Sequence, residues 1–437
     1  MILVYILMIT SLVLLLYNYR TGIVIVMMVI TNFGEFVYVN PNLEIGDFGG
    51  IGKIFFMDIF WISLTCVLLL KSKDLFLLRY KLSLNILLAL CVISAIIPFL
   101  ISSFTIKDAI SVIRPLGNFL LLPYFVLLIK NKDAVNFFEK TILFLVFFFI
   151  IVQVYEYIMQ KRVPIRLFEK ESFFYGENPF SVEFGGIKTG YIWSRIGYLL
   201  PFNLFYGCYY YFTDRKNFGL LLIAVYLLAI MIALSRIWII GFAFFLIVLS
   251  LFLLLKRERE SYVKVKLFSL IGSFALIGFI LLFTSSTFNQ IFDIFLLRVN
   301  SISDLADKTD ASFLGREYTL LQMISVWFEY PVFGAGFSTI SRRLTTNDLG
   351  FPNFITIFGF SGIVMLLFFV KQYFDNIIIF FKDYYILFVC FATVMLMIIF
   401  MSIFSIDMFY FNATGAILFA LANIFYNLAK QEKGTYI

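Results

Sequence analysis

The chain has 437 residues, of which 62% are hydrophobic and 20% aromatic against 14% charged, where a soluble globular domain carries about 25% charged residues. Each crossing of a hydrocarbon layer about 30 Å thick takes roughly 20 apolar residues, and such stretches recur along the whole sequence, which excludes a soluble enzyme. The net charge is +7 and there is no histidine at all, so the commonest metal ligand and the commonest general base are both missing.

Apolar runs between polar breaks predict spans over 2–17, 22–39, 54–70, 82–102, 109–129, 141–160, 197–212, 218–234, 237–255, 267–284, 353–370, 384–401 and 412–428. The expected fold is an all-α polytopic membrane protein with about 12–14 transmembrane helices, forming a single integral membrane domain over 1–437. Met1 leads straight into a hydrophobic run without a basic region or small-residue cleavage site, and is read as entering a first span, not a signal peptide. Cys66, Cys91, Cys208 and Cys390 all lie in apolar stretches, with neither disulfide nor zinc spacing.

Strict alternation puts 18–21, 71–81, 130–140, 213–217, 256–266, 371–383 and 429–437 on one side, with 19 Lys+Arg against 9 Asp+Glu. The remainder holds 15 and 18. The positive-inside rule makes the first set cytoplasmic, which places the C-terminus inside and leaves two sizeable outward loops, about 161–196 and about 285–352. The location expected on this count is the cytoplasmic membrane, multi-pass.

Lysine outnumbers arginine 14 to 5 on the cytoplasmic side, while the other side carries 9 Arg and 6 Lys. Outward cations oppose the topology rule, and a guanidinium fork binds phosphate or carboxylate bidentately where lysine cannot. Arg162, Arg166, Arg342 and Arg343 read as partners of loop acids or headgroups. Arg114, in Ile110-Ser-Val-Ile-Arg-Pro115, and Arg236, in Ala233-Leu-Ser-Arg-Ile-Trp238, lie between apolar stretches too short to be solvent loops. A charge held at such a boundary is either functional or snorkels to the headgroups.

Residues 312–330 read as an amphipathic helix capped by Asp310 or Ser312 and ended by Pro331. Arg316 is expected in its first turn, where free backbone N–H groups favour an anion; the plain alternative is a pair with Glu317. Val332-Phe-Gly-Ala-Gly-Phe337 then reads as a tight re-entry toward the membrane and not as a nucleotide loop, because no strand precedes it.

Taken in order, Ser235-Arg236 between close spans, Gly315-Arg316 in a long outer loop, Trp327-x-x-x-Pro331-x-x-Gly334-x-Gly336, and Asn353 opening a span with Gly359 and Gly362 resemble the bacterial O-antigen polymerase (Wzy-type) and O-antigen ligase superfamily of membrane glycosyltransferases. The resemblance covers roughly 230–370, with Arg114 before a span as the further match. It implies transfer of a glycan from undecaprenyl diphosphate to an acceptor hydroxyl at the outer membrane face. The partners it implies are lipid-linked donor and acceptor, membrane lipids, a chain-length regulator and a flippase, with no nucleic acid. Ligases of this superfamily carry a His-Asn pair where this chain has Pro352-Asn353, a departure that favours a polymerase over a ligase.

If a lipid diphosphate leaves, negative charge develops on it and preorganised donors stabilise it. Arg236 and Arg316 are the expected catalytic cations, with Glu317 beside them; Arg114, Arg195, Gly334, Gly336 and Asn353 are the expected substrate contacts. No metal or cofactor is called for. Glu183, Glu317, Asp348 and Glu156 are the candidate bases, and the sequence does not choose among them. Phe173, Phe174, Tyr175, Tyr191 and Trp193 stack on sugar or belong to an interfacial aromatic belt. A flippase of lipid-linked glycans is the rival from another class, for which short outer loops and an internal repeat are expected.

Overall fold

The computed structural model describes residues 13, 15, 18–31, 44–47, 53–71, 77–159, 180–184, 187–190, 195–213, 215–233, 235–255, 265, 266, 269, 272, 311–345, 349–404, 408–409 and 412–432. The protein is a polytopic α-helical membrane protein. Seven segments among the described residues are long and apolar enough to cross a membrane: Lys81–Leu100, Ile106–Leu128, Lys132–Tyr155, Lys216–Ala233, Ile237–Leu254, Gly350–Ile377 and Tyr385–Ile403. Shorter apolar helices occupy Tyr19–Ile30 and Phe56–Leu70. The predicted spans 2–17 and 267–284 lie outside the described residues, apart from isolated positions.

The chain divides into two compact units, one made of Met1–Leu145, Arg316–Ile379 and Met401–Ile437, the other of Val146–Gly315 and Phe380–Phe400. In the first unit the helices are α1 (Tyr19–Ile30), α2 (Phe56–Leu70), α3 (Lys81–Leu100), α4 (Ile106–Ile113) and α5 (Leu121–Leu128). The start of α6 (Lys132–Met159) follows. Asn18 caps α1 by accepting from Arg20 N at 3.1 Å, and Thr105 caps α4 by accepting from Asp108 N at 3.2 Å.

The span predicted over 109–129 is not one continuous helix. Pro115 offers no N–H for the helical ladder, and the backbone tightens into a 3₁₀ turn over Arg114–Leu120 between α4 and α5. A second departure from the all-helical expectation is a two-stranded hairpin, β1 (Glu44–Asp47) with β2 (Lys53–Phe55).

The second unit contains β3 (Phe180–Phe184) paired with β4 (Ile187–Gly190), then α7 (Leu200–Phe212), α8 (Lys216–Ala233) and α9 (Arg236–Leu255). The α7–α8 hairpin is closed by small residues: a Cβ on Gly207 would meet Ile223 at 2.8 Å, and one on Gly219 would meet Tyr211 N. Lys266 Nζ reaches the carbonyls of Tyr211, Phe212 and Thr213, each at 3.4 Å, a cation on the carbonyls a helix end leaves without partners.

The remaining elements are α10 (Ala311–Glu329), α11 (Thr339–Leu344), α12 (Gly350–Ile377), α13 (Phe380–Asp383), α14 (Tyr385–Phe404) and α15 (Thr414–Glu432). In the first unit α12 packs on α3 and α15, and α15 packs on α5. Tyr80, Phe369 and Phe419 meet ring to ring there. Beside that core, Met323, Val326, Ala335, Leu344 and Leu349 form a cluster with Ile101, Trp327, Tyr330 and Ile340, which ties α10 and α11 to the end of α3.

Candidate functional site

The motif residues of 327–362 are organised by backbone groups that a proline within α3 and an interruption of α12 set free. Pro98 lies inside α3 and has no N–H for the carbonyl four residues earlier. That carbonyl, on Ser94, accepts from Phe337 N at 2.8 Å. In α12 the helical path is interrupted at Gly359, with φ 62° and ψ −153°.

The interruption and the loop after Pro331 satisfy each other reciprocally. Phe360 N and Ser361 N donate to the carbonyls of Pro331 (2.9 Å) and Val332 (3.1 Å), while Ala335 N and Gly336 N donate to those of Thr356 (2.9 Å) and Ile357 (3.0 Å). Four hydrogen bonds thus replace stretches of helical ladder and pair backbone groups that burial would otherwise leave unsatisfied. At the centre Gly334 (φ 64°) and Gly359 stand backbone to backbone: a Cβ on either would lie 2.6 Å from the other's nitrogen. Gly336 (φ 62°) passes over α3, where a Cβ would lie 2.5 Å from Ser94 O.

Side chains frame this crossing. Trp327 Nε1–H donates to Thr356 Oγ1 at 3.1 Å, and Thr356 Oγ1 donates to Pro352 O at 2.9 Å. Tyr330 donates its hydroxyl to Glu329 Oε1 at 2.6 Å, and that hydrogen bond raises the phenol above its ordinary value. After the crossing, Ser338 caps α11 by accepting from Ser341 N at 3.1 Å. Thr339 N donates to Ser103 O at 3.1 Å, and Thr339 Oγ1 donates to Asp108 Oδ2 at 2.8 Å.

The predicted site residues fall in different places. Gly334 and Gly336 are buried and form a tight turn, as backbone hinges of the crossing. Asn353 is fully buried in the first turn of α12. Arg114 forks onto Asp58, Nε to Oδ1 at 2.6 Å and Nη2 to Oδ2 at 2.9 Å, with its guanidinium 4.6 Å above the Phe55 ring. Asp58 also accepts from Phe55 N at 2.9 Å, so a carboxylate from the start of α2 holds this arginine at the start of the 3₁₀ turn.

Arg316 is the sixth residue of α10, which begins at Ala311. It therefore stands in the second turn, not in the expected first, and the backbone N–H groups free for an anion belong to the residues before it. Arg236 is the first residue of α9, where Ser235 O accepts from Trp238 N and Ile239 N at 3.1 and 3.2 Å. Arg195 opens a 3₁₀ turn over Arg195–Leu199. The side chains of Arg195, Arg236, Arg316, Glu156 and Glu183 lie outside the described residues, as do Phe173, Phe174, Tyr175, Tyr191, Trp193, Asp310 and Asp348 altogether. Glu317 is partly buried.

The sequence reading missed Ser94, Pro98 and Thr356, which hold the crossing, and Asp108, which touches α11. A proline inside a predicted span was the available signal for the first pair, since it always frees a carbonyl.

With this geometry in place, residues 220–358 match the family model described as O-antigen ligase. The match spans about a third of the chain and takes in Arg236, Arg316, the Pro331–Gly336 turn and Asn353. It supports the O-antigen polymerase and ligase superfamily, and with it an enzyme of the glycosyltransferase kind. A search of curated proteins finds no match.

Proposed function

We propose that this protein polymerises oligosaccharide repeat units carried on undecaprenyl diphosphate, at the outer face of the cytoplasmic membrane and with its C-terminus inside. The observation that carries the reading is the match over 220–358 in a chain that has no histidine, with Pro352 where the ligase pattern has one. The description attached to that match names a ligase, which is why the ligase is the second reading.

In the proposed reaction the diphosphate leaves the anomeric carbon of the growing chain as an acceptor hydroxyl attacks it. Arg316 and Arg236 are the proposed donors to the leaving diphosphate, and Glu317 and Arg195 belong to the same proposal. Their support is residue type and, for Arg236, a place at the first residue of α9, where backbone N–H groups are free. Gly334 and Gly336 enter the proposal as hinges of the crossing, Asn353 as a buried residue in the first turn of α12, and Arg114 through its hold on Asp58 at the start of the 3₁₀ turn. Guanidinium groups can carry the charge without a metal. A flippase that delivers the lipid-linked unit and a regulator of chain length are the proposed partners.

The test is electrophoresis of surface glycan from a deletion strain. Glycan one repeat long supports the polymerase, long chains left off their final acceptor support the ligase, and an unchanged ladder overturns both. Within the polymerase reading Arg316→Lys, matched in abundance, is expected to lower the rate by about a hundred- to a thousandfold. Arg343→Lys, on the exposed face of α11, serves as the comparison and is expected to be nearly silent.

A further inference from the structure

Attack by a sugar hydroxyl requires that its proton go somewhere, and a positioned side chain usually takes it. Histidine is absent from the chain. Of the described acids on the outward side of the sequence reading, Asp58 is held by Arg114 and Glu329 accepts from Tyr330. Glu317 has an interaction of its own.

Asp108 is arranged differently. Thr105 Oγ1 (2.7 Å) and Thr339 Oγ1 (2.8 Å) both place their hydroxyls on the same oxygen, Oδ2. Oδ1 receives no hydrogen bond or ion pair from the described residues, and the side chain is partly exposed. A purely capping role at this third position of a helix would turn the carboxylate to the Thr105 backbone N–H; here the hydroxyl of Thr105 takes that place.

We infer that Asp108 is the general base of the transfer, an inference that rests on the polymerase reading. Its carboxylate is oriented by two hydroxyls from different elements, α4's cap and α11, with one oxygen left to face a substrate. Thr339 follows directly on the Gly334–Phe337 crossing, so the stretch that carries the family match positions a base supplied by the N-terminal part of the chain. Lys107 precedes it on α4, and Arg342 and Arg343 lie on α11, which packs against α4, while Arg114 in the following turn is held by Asp58.

In the step itself the acceptor hydroxyl oxygen forms a bond to the anomeric carbon, and its proton passes to Asp108 Oδ1. The bond from that carbon to the diphosphate oxygen breaks, and undecaprenyl diphosphate departs with the electron pair. The proton on Asp108 is then lost to water, which restores the carboxylate for the next transfer.

The experiment uses the full chain in nanodiscs with lipid-linked repeat units, following both polymer formation and retention of the donor. Asp108→Asn keeps the shape and both hydroxyl contacts, and is expected to lower kcat by about a hundredfold or more while KM and donor retention stay at wild-type values. Asp108→Ala is expected to recover part of its rate when formate is added, a response that loss of a structural contact would not give. Glu329→Gln is expected to polymerise normally. Wild-type polymerisation by Asp108→Asn, or failure of formate to act on Asp108→Ala, overturns the assignment and leaves the polymerase reading intact. Full loss in Glu317→Gln beside an active Asp108→Asn moves the role to Glu317. Absence of polymer from the wild-type protein overturns both readings.

Discussion

The α7–α8 hairpin and the crossing of residues 331–337 with α12 both bring backbone against backbone through glycine, and they do it by different means. In the hairpin, regular helices keep their own hydrogen-bond ladders, and the missing side chain of Gly219 only makes room for Tyr211 and Gly207. In the crossing the ladders themselves are interrupted, and the freed groups of Pro331, Val332, Thr356 and Ile357 bond with the opposite segment. Glycine is needed there for conformation as well as for room, since Gly334 and Gly359 have φ near +60°. The hairpin is thus a packing solution, in which the two helices would have to part to admit a side chain at Gly219. The crossing is a backbone solution, in which buried polar groups are costly to leave unpaired.

The largest expected effect comes from adding one methyl group at the crossing. Gly359→Ala forces an L-residue into a region used almost only by glycine, at a cost of order 1–3 kcal/mol. Its Cβ also lands 2.6 Å from Gly334 N and Pro331 O, which parts the segments and endangers the four hydrogen bonds between them, each worth about 1 kcal/mol. Size-exclusion chromatography in detergent is expected to show little folded protein. A folded, active Gly359→Ala would show that the crossing is a packing contact like the hairpin.

Gly219→Ala sharpens the comparison from the other side. Alanine suits the regular helix here, so the cost is overpacking alone, about 1–3 kcal/mol, offset in part by better helix propensity. Folded protein is expected at reduced thermal stability, measured by melting in detergent. Loss as complete as that of Gly359→Ala would mean that close approach, and not positive φ, is what both places share.

Much of the scaffold was legible because hydropathy reports burial in lipid directly: the predicted spans 82–102, 218–234 and 384–401 fall on α3, α8 and α14. The Pro331–Gly336 turn was legible because proline and glycine constrain backbone locally. What stayed hidden joins residues distant in sequence. Pro98 announces a free carbonyl, yet nothing near it says that Phe337 N will come to Ser94. No local pattern brings Thr339 to Asp108, 231 positions apart, or Arg114 to Asp58, 56 positions apart. Arg316 missed its turn because Asp310 and Ser312 both suit a cap; the helix starts at Ala311, and a two-residue difference in start moves a side chain through half a helical turn.

The smallest expected effect concerns Trp327, the motif residue that reaches the crossing through a side chain. Trp327→Phe keeps an aromatic ring beside Met323 and Val326 but removes the Nε1–H that Thr356 Oγ1 accepts. Thr356 retains its own hydrogen bond to Pro352 O, so no hydroxyl proton is stranded. The loss is one hydrogen bond at a partly exposed indole, about 1 kcal/mol, and the melting temperature should fall by about 1–2 °C. Polymer length and yield are expected to stay near wild type, because the backbone bonds at Ala335, Gly336, Phe360 and Ser361 are untouched. Damage on the scale of Gly359→Ala would reverse the ranking: the indole would then be holding the two segments together, and the four backbone hydrogen bonds would follow from its placement.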